Sequence, residues 1–379
     1  MKRFLIAVIC GLIVIGVTVL VSCGDDDCPT CPEPEPEHEP DYHLVYSYCG
    51  STIDTKYILT YSSKTGEVID TATYDTSPTG GEPFGNLAFT HDGEYAVYTS
   101  SYNLNIGTSE TWVTRTATGD TVSYLSGLGA WAAIISEDDK QVLLTSGNVL
   151  AVLTLPDLGI VFSDSIINWG GALHPSEKRI FVALERATDS LFIIDYDELP
   201  TTISSIPVLD EDGYTLHITG VRWITEDYLF LNSFIPDIVY FLQVYDLDSL
   251  TLIDQELMEN RVKYRGAALH PDGKRLFLSY NAGFDAPWIS GVDIYYINTG
   301  DLLPYITPDE IASNYEGIAP TDIQILPGGE SFFILDGGTG YWFGPILQID
   351  ISSKEVIRVI RPEDGGTRLI RLNPKDWAE

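Results

Sequence analysis

A chain of 379 residues could by length alone hold two or three domains, but 22 tyrosines and 7 tryptophans against only 2 methionines suit strands, which favour β-branched and aromatic side chains. With 21 Lys and Arg against 55 Asp and Glu the formal net charge is -34, which repels phosphate backbones and excludes nucleic acid as an expected partner. The same excess acid suits solubility in an exposed compartment, with affinity for cations or basic partners as the sharper alternative.

Lys2 and Arg3 precede an apolar run over residues 4–21 that closes on Leu20, Val21, Ser22 and Cys23. A basic start, an apolar middle and small residues before a cleavage point describe an export signal over residues 1–22. The length of the run leaves an uncleaved membrane-spanning anchor open as the alternative. Either reading places the remainder outside the cytoplasm, in the cell envelope, held to a membrane.

Residues 23–41 form the next segment. From Gly24 it reads GDDDCPTCPEPEPEHEPD, in which alternating Pro and Glu cannot bury a core, favour extended polyproline II and repel one another. About 18 such residues at ~3.1 Å each make a tether of roughly 50 Å. Cys28 and Cys31 fall inside it, without the flanking strand and helix that tune a redox pair and without a second pair to complete zinc coordination, so a local disulfide or inert thiols are expected. No metal, cofactor or catalytic set is read from the motifs, and a divalent cation in the channel stays open as part of the hydrolase alternative.

Residues 42–379 are organised by a repeat. Residues 266–280 read GAALHPDGKRLFLSY and residues 170–184 read GGALHPSEKRIFVAL: a small apolar strand, a tight turn, a basic pair and a second strand. Weaker copies begin at Leu87, Ala133, Val221 and Ile323, and a truncated one at Leu369. The turns recur at intervals of about 40 to 55 residues, the length of a four-stranded propeller blade. Seven turns predict seven blades. The first strands, from His43 onward, lack an inner partner, while residues 367–373 look like an inner strand with nothing after its turn. Pairing the two termini in one shared blade closes the ring and hides edges that would otherwise invite aggregation. Six further blades start near Phe84, Leu128, Gly170, His217, Tyr264 and Ile318, and Thr307-Pro308-Asp309-Glu310 signals one short helix inserted before the last of them.

With these motifs in view, the chain resembles the YVTN-type and WD-like β-propeller repeats of bacterial surface and periplasmic proteins, over residues 41–374. It departs from the strict Tyr-Val-Thr-Asn signature, offering Tyr98-Thr99-Ser100 and Leu278-Ser279-Tyr280 instead. The resemblance implies an all-β, seven-bladed wheel; relatives of this shape include lactonases, cofactor-bearing dehydrogenases and plain binding scaffolds, and fold alone does not choose among them. Residues 20–23 resemble the lipobox of bacterial lipoproteins, which implies acylation of Cys23 and membrane lipid as a partner. Gly24 after that cysteine, by the same resemblance, permits outer-membrane delivery.

His174 and His270 share a repeat position and His91 lies one place later, so the wheel should spread them over separate blades rather than gather them round a metal. Loops after second strands and loops joining blades open on one face, and that face should collect Tyr102, Trp169, Phe234, Phe284, Trp288, Tyr341, Trp342 and Phe343. These aromatics either recognise a protein, peptide or glycan, or fold back as lids on the core. Arg222, Arg265, Asp322 and Arg368 fall in or beside inner strands, where they either trap an anion at the axis or pair between blades. The expectation is therefore a membrane-anchored extracytoplasmic binding module, with a lactonase-type hydrolase working at the axis as the alternative.

Overall fold

The computed structural model describes residues 40–377 except 50–54, 76–83, 101–109, 131, 147–148, 165–167, 185–188, 198–201, 211, 226, 236–238, 259–262, 282–288, 315–318, 337–344 and 362–365. The proposed signal, the tether up to Glu39, Cys23 and the loop residues Tyr102, Phe284, Trp288, Tyr341, Trp342 and Phe343 lie outside the described residues.

Twenty-eight strands form seven four-stranded antiparallel sheets. The inner strands are Gly366–Asp376 in blade 1, Phe84–Phe89 in blade 2, Ala132–Ile135 in blade 3, Asn168–Leu173 in blade 4, His217–Ile224 in blade 5, Lys263–Leu269 in blade 6 and Pro320–Ile325 in blade 7. Each packs on the inner strand of the next blade, and the last returns to the first, so the sheets form a closed β-propeller. Blades 2 to 7 each run inner to outer in chain order. An even number of strands returns the chain to the end of the blade where it entered. Every inner strand therefore starts on one face, here called the mouth, and every first turn lies on the other.

Blade 1 is assembled from both termini. Tyr42–Cys49 pairs with Gly366–Asp376 through Leu44 opposite Leu372, Val45 opposite Arg371, Tyr46 opposite Ile370 and Ser47 opposite Leu369. At the turn end the seam continues beyond the strands: the Trp377 amide donates to the Asp41 carbonyl at 2.7 Å, and the Trp377 ring stacks on His43 with centroids 4.7 Å apart. The shared sheet expected from the unpaired first strands and the orphan last strand is thus present.

The core is a series of apolar layers, one in each gap between blades. Alternate residues of each strand face opposite sides of its sheet, so one blade contributes to two gaps. Between blades 6 and 7 lie Phe277, Val292, Ile323 and Phe332; between 4 and 5 lie Phe181, Leu191, Leu229 and Leu231. Among the described residues, the gap between blades 1 and 2 has the thinnest layer, with Val45, Leu87 and Ala96 as its buried members.

The predicted helix is the short α1, Pro308–Asn314. Thr307 caps it: its hydroxyl accepts from the Glu310 amide at 3.3 Å, and the Glu310 carboxylate accepts from the Thr307 amide at 2.8 Å, which holds the Glu310 carboxyl below the usual range. Ile311 on α1 joins the layer between blades 6 and 7, so the helix lids that gap.

Polar clamps complete the closure. Arg371 in blade 1 donates Nη1 to Asp322 of blade 7 at 2.7 Å and Nε to the Leu87 carbonyl of blade 2 at 3.1 Å, spanning three blades. Burial pushes the Asp322 carboxyl up; the Arg371 charge and the amides of Ile370 and Ile323 oppose that shift. Breaking one partner of such a pair leaves the other charge buried alone. Arg371→Leu is therefore expected to destabilise the fold by about 3 kcal/mol, whereas Arg371→Leu with Asp322→Leu should recover most of that loss. Denaturant unfolding of both variants checks this, and a double variant no better than the single one would mean that the carbonyl of Leu87, rather than the ion pair, is what Arg371 is needed for.

Candidate functional site

The mouth is built from a repeated irregularity. Six of the seven inner strands carry one unmatched residue near the start: Gly85, Trp169, Thr219, Arg265, Thr321 and Arg368. Each is a β-bulge, which re-aims a side chain and sharpens local twist. Blade 5 has a second shift, at Arg222. Four positions singled out in the sequence, Trp169, Arg222, Arg265 and Arg368, are thus bulged residues of inner strands. The backbone places them; the side chains of Trp169, Arg222 and Arg368 are outside the described set.

Donors on neighbouring blades take up backbone carbonyls at the start of the inner strands. The Thr99 hydroxyl donates to the Ala130 carbonyl at 2.8 Å, Asn232 Nδ2 to the Tyr264 carbonyl at 3.1 Å, and Asn281 Nδ2 to the Pro320 carbonyl at 2.7 Å. Tyr264 and Pro320 immediately precede the bulged Arg265 and Thr321. Each donor sits on the second strand of the preceding blade and is buried, so the latch saves a carbonyl that would otherwise cost about 1–3 kcal/mol unpaired.

Arg265 is the best-defined side chain at this rim. It is exposed, and its Nε donates to Asn281 Oδ1 at 3.3 Å. No described carboxylate pairs with it. Loss of solvation lowers its pKa from the ordinary arginine value, with Tyr240 acting the other way. A guanidinium held by a neutral amide, in a chain of net charge -34, is an anion-seeking group without a counter-ion among the described residues.

Directly beneath it the alternation turns Tyr264 into the gap between blades 5 and 6. Its hydroxyl donates to Asp293 Oδ2 at 2.7 Å, and its ring meets Tyr280 edge-on at 6.2 Å. Tyr280 lies over Gly291, where any Cβ would strike its hydroxyl end and the Ile306 carbonyl. Burial raises the Asp293 carboxyl to about 6, with the Tyr264 hydrogen bond pulling against it, and burial followed by the Asp293 charge pushes the Tyr264 phenol well up.

The other candidate residues separate. Phe234 is half-buried between His217, at 5.4 Å, and Tyr240, at 5.5 Å, so it covers its own blade. Asp322 is partly buried and clamps Arg371 across the gap between blades 7 and 1. The histidines go to separate blades and to the turn face. His91 Nδ1 meets Asp139 Oδ1 at 2.7 Å in blade 3, His174 Nδ1 accepts from the amides of Ser176 and Glu177, and His270 Nε2 donates to the Gly329 carbonyl of blade 7 at 2.9 Å. A Cβ at Gly329, which sits at φ +77°, would fall 2.8 Å from that His270 nitrogen. Among the described residues no three His, Cys, Asp or Glu side chains gather as a metal set. Asp293 and the latch residues carry no motif in the sequence; the small residue Gly291, facing a tyrosine across the sheet, was their one local trace.

No family model and no curated protein sequence matches the chain. Solved structures do share its fold. The periplasmic gluconolactonase of Pseudomonas aeruginosa has a TM-score of 0.61 at 14% identity, covering 88% of this chain and 99% of that one. A putative 6-phosphogluconolactonase from Bacteroides uniformis has a TM-score of 0.60 at 14% identity, covering 88% and 100%. A dihydro-heme d1 dehydrogenase has a TM-score of 0.54 at 16% identity, covering 88% and 66%. Similarity at this level identifies the architecture, and proteins with such different names show that the architecture does not select a chemistry.

The buried Asp293 generates a pH prediction. Its folded pKa of about 6 lies above the ordinary aspartate value, so the fold disfavours the ionised form. Its contribution to stability is greatest below the unfolded pKa and falls away as pH rises through about 6. Asp293→Asn keeps an acceptor for Tyr264 and lacks the ionisation. Relative to wild type it should gain on the order of 2 kcal/mol between pH 3.5 and pH 8. Unfolding midpoints at both pH values measure this; a constant difference between the two proteins would place the Asp293 pKa at its ordinary value.

Proposed function

We propose that the chain is a membrane-anchored extracytoplasmic binding module that takes its ligand at the propeller mouth. The observation that carries this reading is Arg265, a guanidinium at a bulge of the axial rim, oriented by Asn281 and without a described carboxylate partner. The ligand is accordingly a protein, peptide or glycan that presents an anionic group. Arg368 and Thr321 at equivalent bulges extend the polar arc, and Trp169 supplies an aromatic position across the ring. The loop residues Tyr102, Phe284, Trp288, Tyr341, Trp342 and Phe343 lie outside the described residues and join this reading from the sequence alone, and Arg222 sits at its own bulge, towards the turn end of its strand.

The sequence at Cys23 supports attachment to membrane lipid at a lipidated N-terminus. Asp41 enters blade 1 at the turn face, beside Trp377, at the opposite end of the sheet from the bulges. Cys23→Ser should abolish incorporation of labelled fatty acid and release the protein from the membrane fraction.

The ligand test is a glycan and peptide array probed with the purified chain, followed by affinity measurements. A ligand at the mouth should bind about tenfold or more weakly to Arg265→Ala, since a hydrogen bond to a charged group is worth roughly 1.5–3 kcal/mol. If every array ligand bound Arg265→Ala and Trp169→Ala as well as wild type, the mouth would not be the recognition surface.

A lactonase-type hydrolase at the axis is the second reading, favoured by the gluconolactonase and putative 6-phosphogluconolactonase structures that share the fold. A lactone-hydrolysis screen with metal analysis of the purified protein separates it from the first.

A further inference from the structure

A second charged site lies on the turn face, at the seam of the ring. A half-open surface pocket there has a volume of about 130 Å³ and is lined by Glu94, Tyr95, Arg115, Thr116, Ala117 and Lys375, of which Glu94 and Arg115 are exposed. At ~30 Å³ for each water it has room for about four. It sits at the end of the gap between blades 1 and 2, where the apolar layer is thinnest.

Across the described residues this acidic chain pairs many of its cations. Lys140 meets Asp138, Lys178 meets Asp197, Arg179 meets Glu177, Arg275 meets Asp272, Lys354 meets Glu310 and Arg371 meets Asp322. Arg115 and Lys375 depart from that pattern although they border one cavity. The Arg115 guanidinium carbon stands 5.9 Å from the centre of the Tyr95 ring, and Lys375 Nζ stands 4.9 Å from that of Trp377. Neither forms an ion pair with a described carboxylate, Glu94 included. Rings give each cation a partial partner and leave its charge uncancelled.

The two cations come from opposite sides of the seam. Arg115 ends the strand Glu110–Arg115 of blade 2, and Lys375 belongs to the C-terminal strand of blade 1. Gly93, at φ +68°, lets that strand approach: a Cβ there would lie 2.7 Å from the Lys375 Cβ. The Lys375 amide donates to Asn373 Oδ1 at 3.0 Å, which fixes the backbone that carries the ammonium. Thr116 is not available to a ligand, because its hydroxyl already donates to the Gly93 carbonyl at 2.6 Å.

We propose that this cavity binds a small oxyanion group, a phosphate or a carboxylate, between Arg115 and Lys375, and that the bound anion reinforces closure of the ring. An oxyanion supplies the negative charge that no described side chain provides to these two cations in an ion pair, and its several oxygens serve both donors at once. Glu94 opposes it and limits its affinity. Because the cations are brought together only when the C-terminal strand is seated against blade 2, the anion binds the closed ring and stabilises it by mass action.

The test uses the full chain with inorganic phosphate and, separately, acetate, at ionic strength held constant with sodium chloride. Saturable binding of one anion per chain by equilibrium dialysis, with a rise in Tm, is expected for wild type. Arg115→Gln and Lys375→Gln should each weaken binding about tenfold and lose most of the Tm shift. Glu94→Gln should tighten it. Phosphate also stabilises proteins by exclusion from their surfaces, so the difference between wild type and variants is the readout. An equal Tm shift in wild type, Arg115→Gln and Lys375→Gln, or no saturable binding to wild type, would overturn the proposal.

Discussion

A ring of separate sheets is held by whatever joins its last member to its first. Here that junction is the antiparallel ladder between Tyr42–Cys49 and Gly366–Asp376, and the rest of the molecule depends on it. Without it, two edge strands with unpaired backbone groups would face solvent, and the apolar layers on both sides of blade 1 would open. The ladder is reinforced where it is most exposed to fraying. Trp377 and Asp41 bind beyond its turn end, and Arg371 reaches from its middle into the blades on either side. Closure of a long chain costs loop entropy, though that cost grows only slowly with length, so one good ladder with a buried charge clamp suffices.

The same junctions that hold the wheel also shape its two faces. On the turn face, short connections and side-chain pins such as His91 on Asp139 and His270 on Gly329 lock neighbouring blades together. At the mouth, inner strands begin with bulges, and Thr99, Asn232 and Asn281 absorb the carbonyls next to the entry points. Rigid support under an irregular rim is the arrangement that lets a scaffold present variable groups with defined geometry. Asn281 joins both tasks, holding the Pro320 carbonyl with one end of its amide and Arg265 with the other.

Charge is distributed with similar economy. With acidic groups in large excess, a cation is easily paired, so cations left without a carboxylate are informative where an exposed acid would not be. Arg265 at the mouth and Arg115 with Lys375 at the seam are of this kind. Asp322 is the converse, an acid whose burial is tolerated because Arg371 and two backbone amides face it.

The repeated units at residues 170–184 and 266–280 were enough to predict seven blades, because a strand-turn-strand unit cannot bury both faces alone and must be stacked on copies of itself. The unpaired strands at the two ends likewise predicted the shared blade, and the Thr307 to Glu310 pattern predicted α1, since a capping box is a local device that needs no distant partner. What local pattern could not convey is which of several equivalent positions meets which across a gap. Asp322 and Arg265 read alike, as charged residues of inner strands, yet one is buried against Arg371 and the other keeps only an amide. Phe234 read equally well as a recognition aromatic or as a lid, and its place between His217 and Tyr240 makes it the cover of its own blade. Blade count and ring closure follow from periodicity along the chain; the partner of each polar side chain depends on a one-residue bulge and on contacts between blades some 50 residues apart, roughly one repeat, which only the assembled wheel defines.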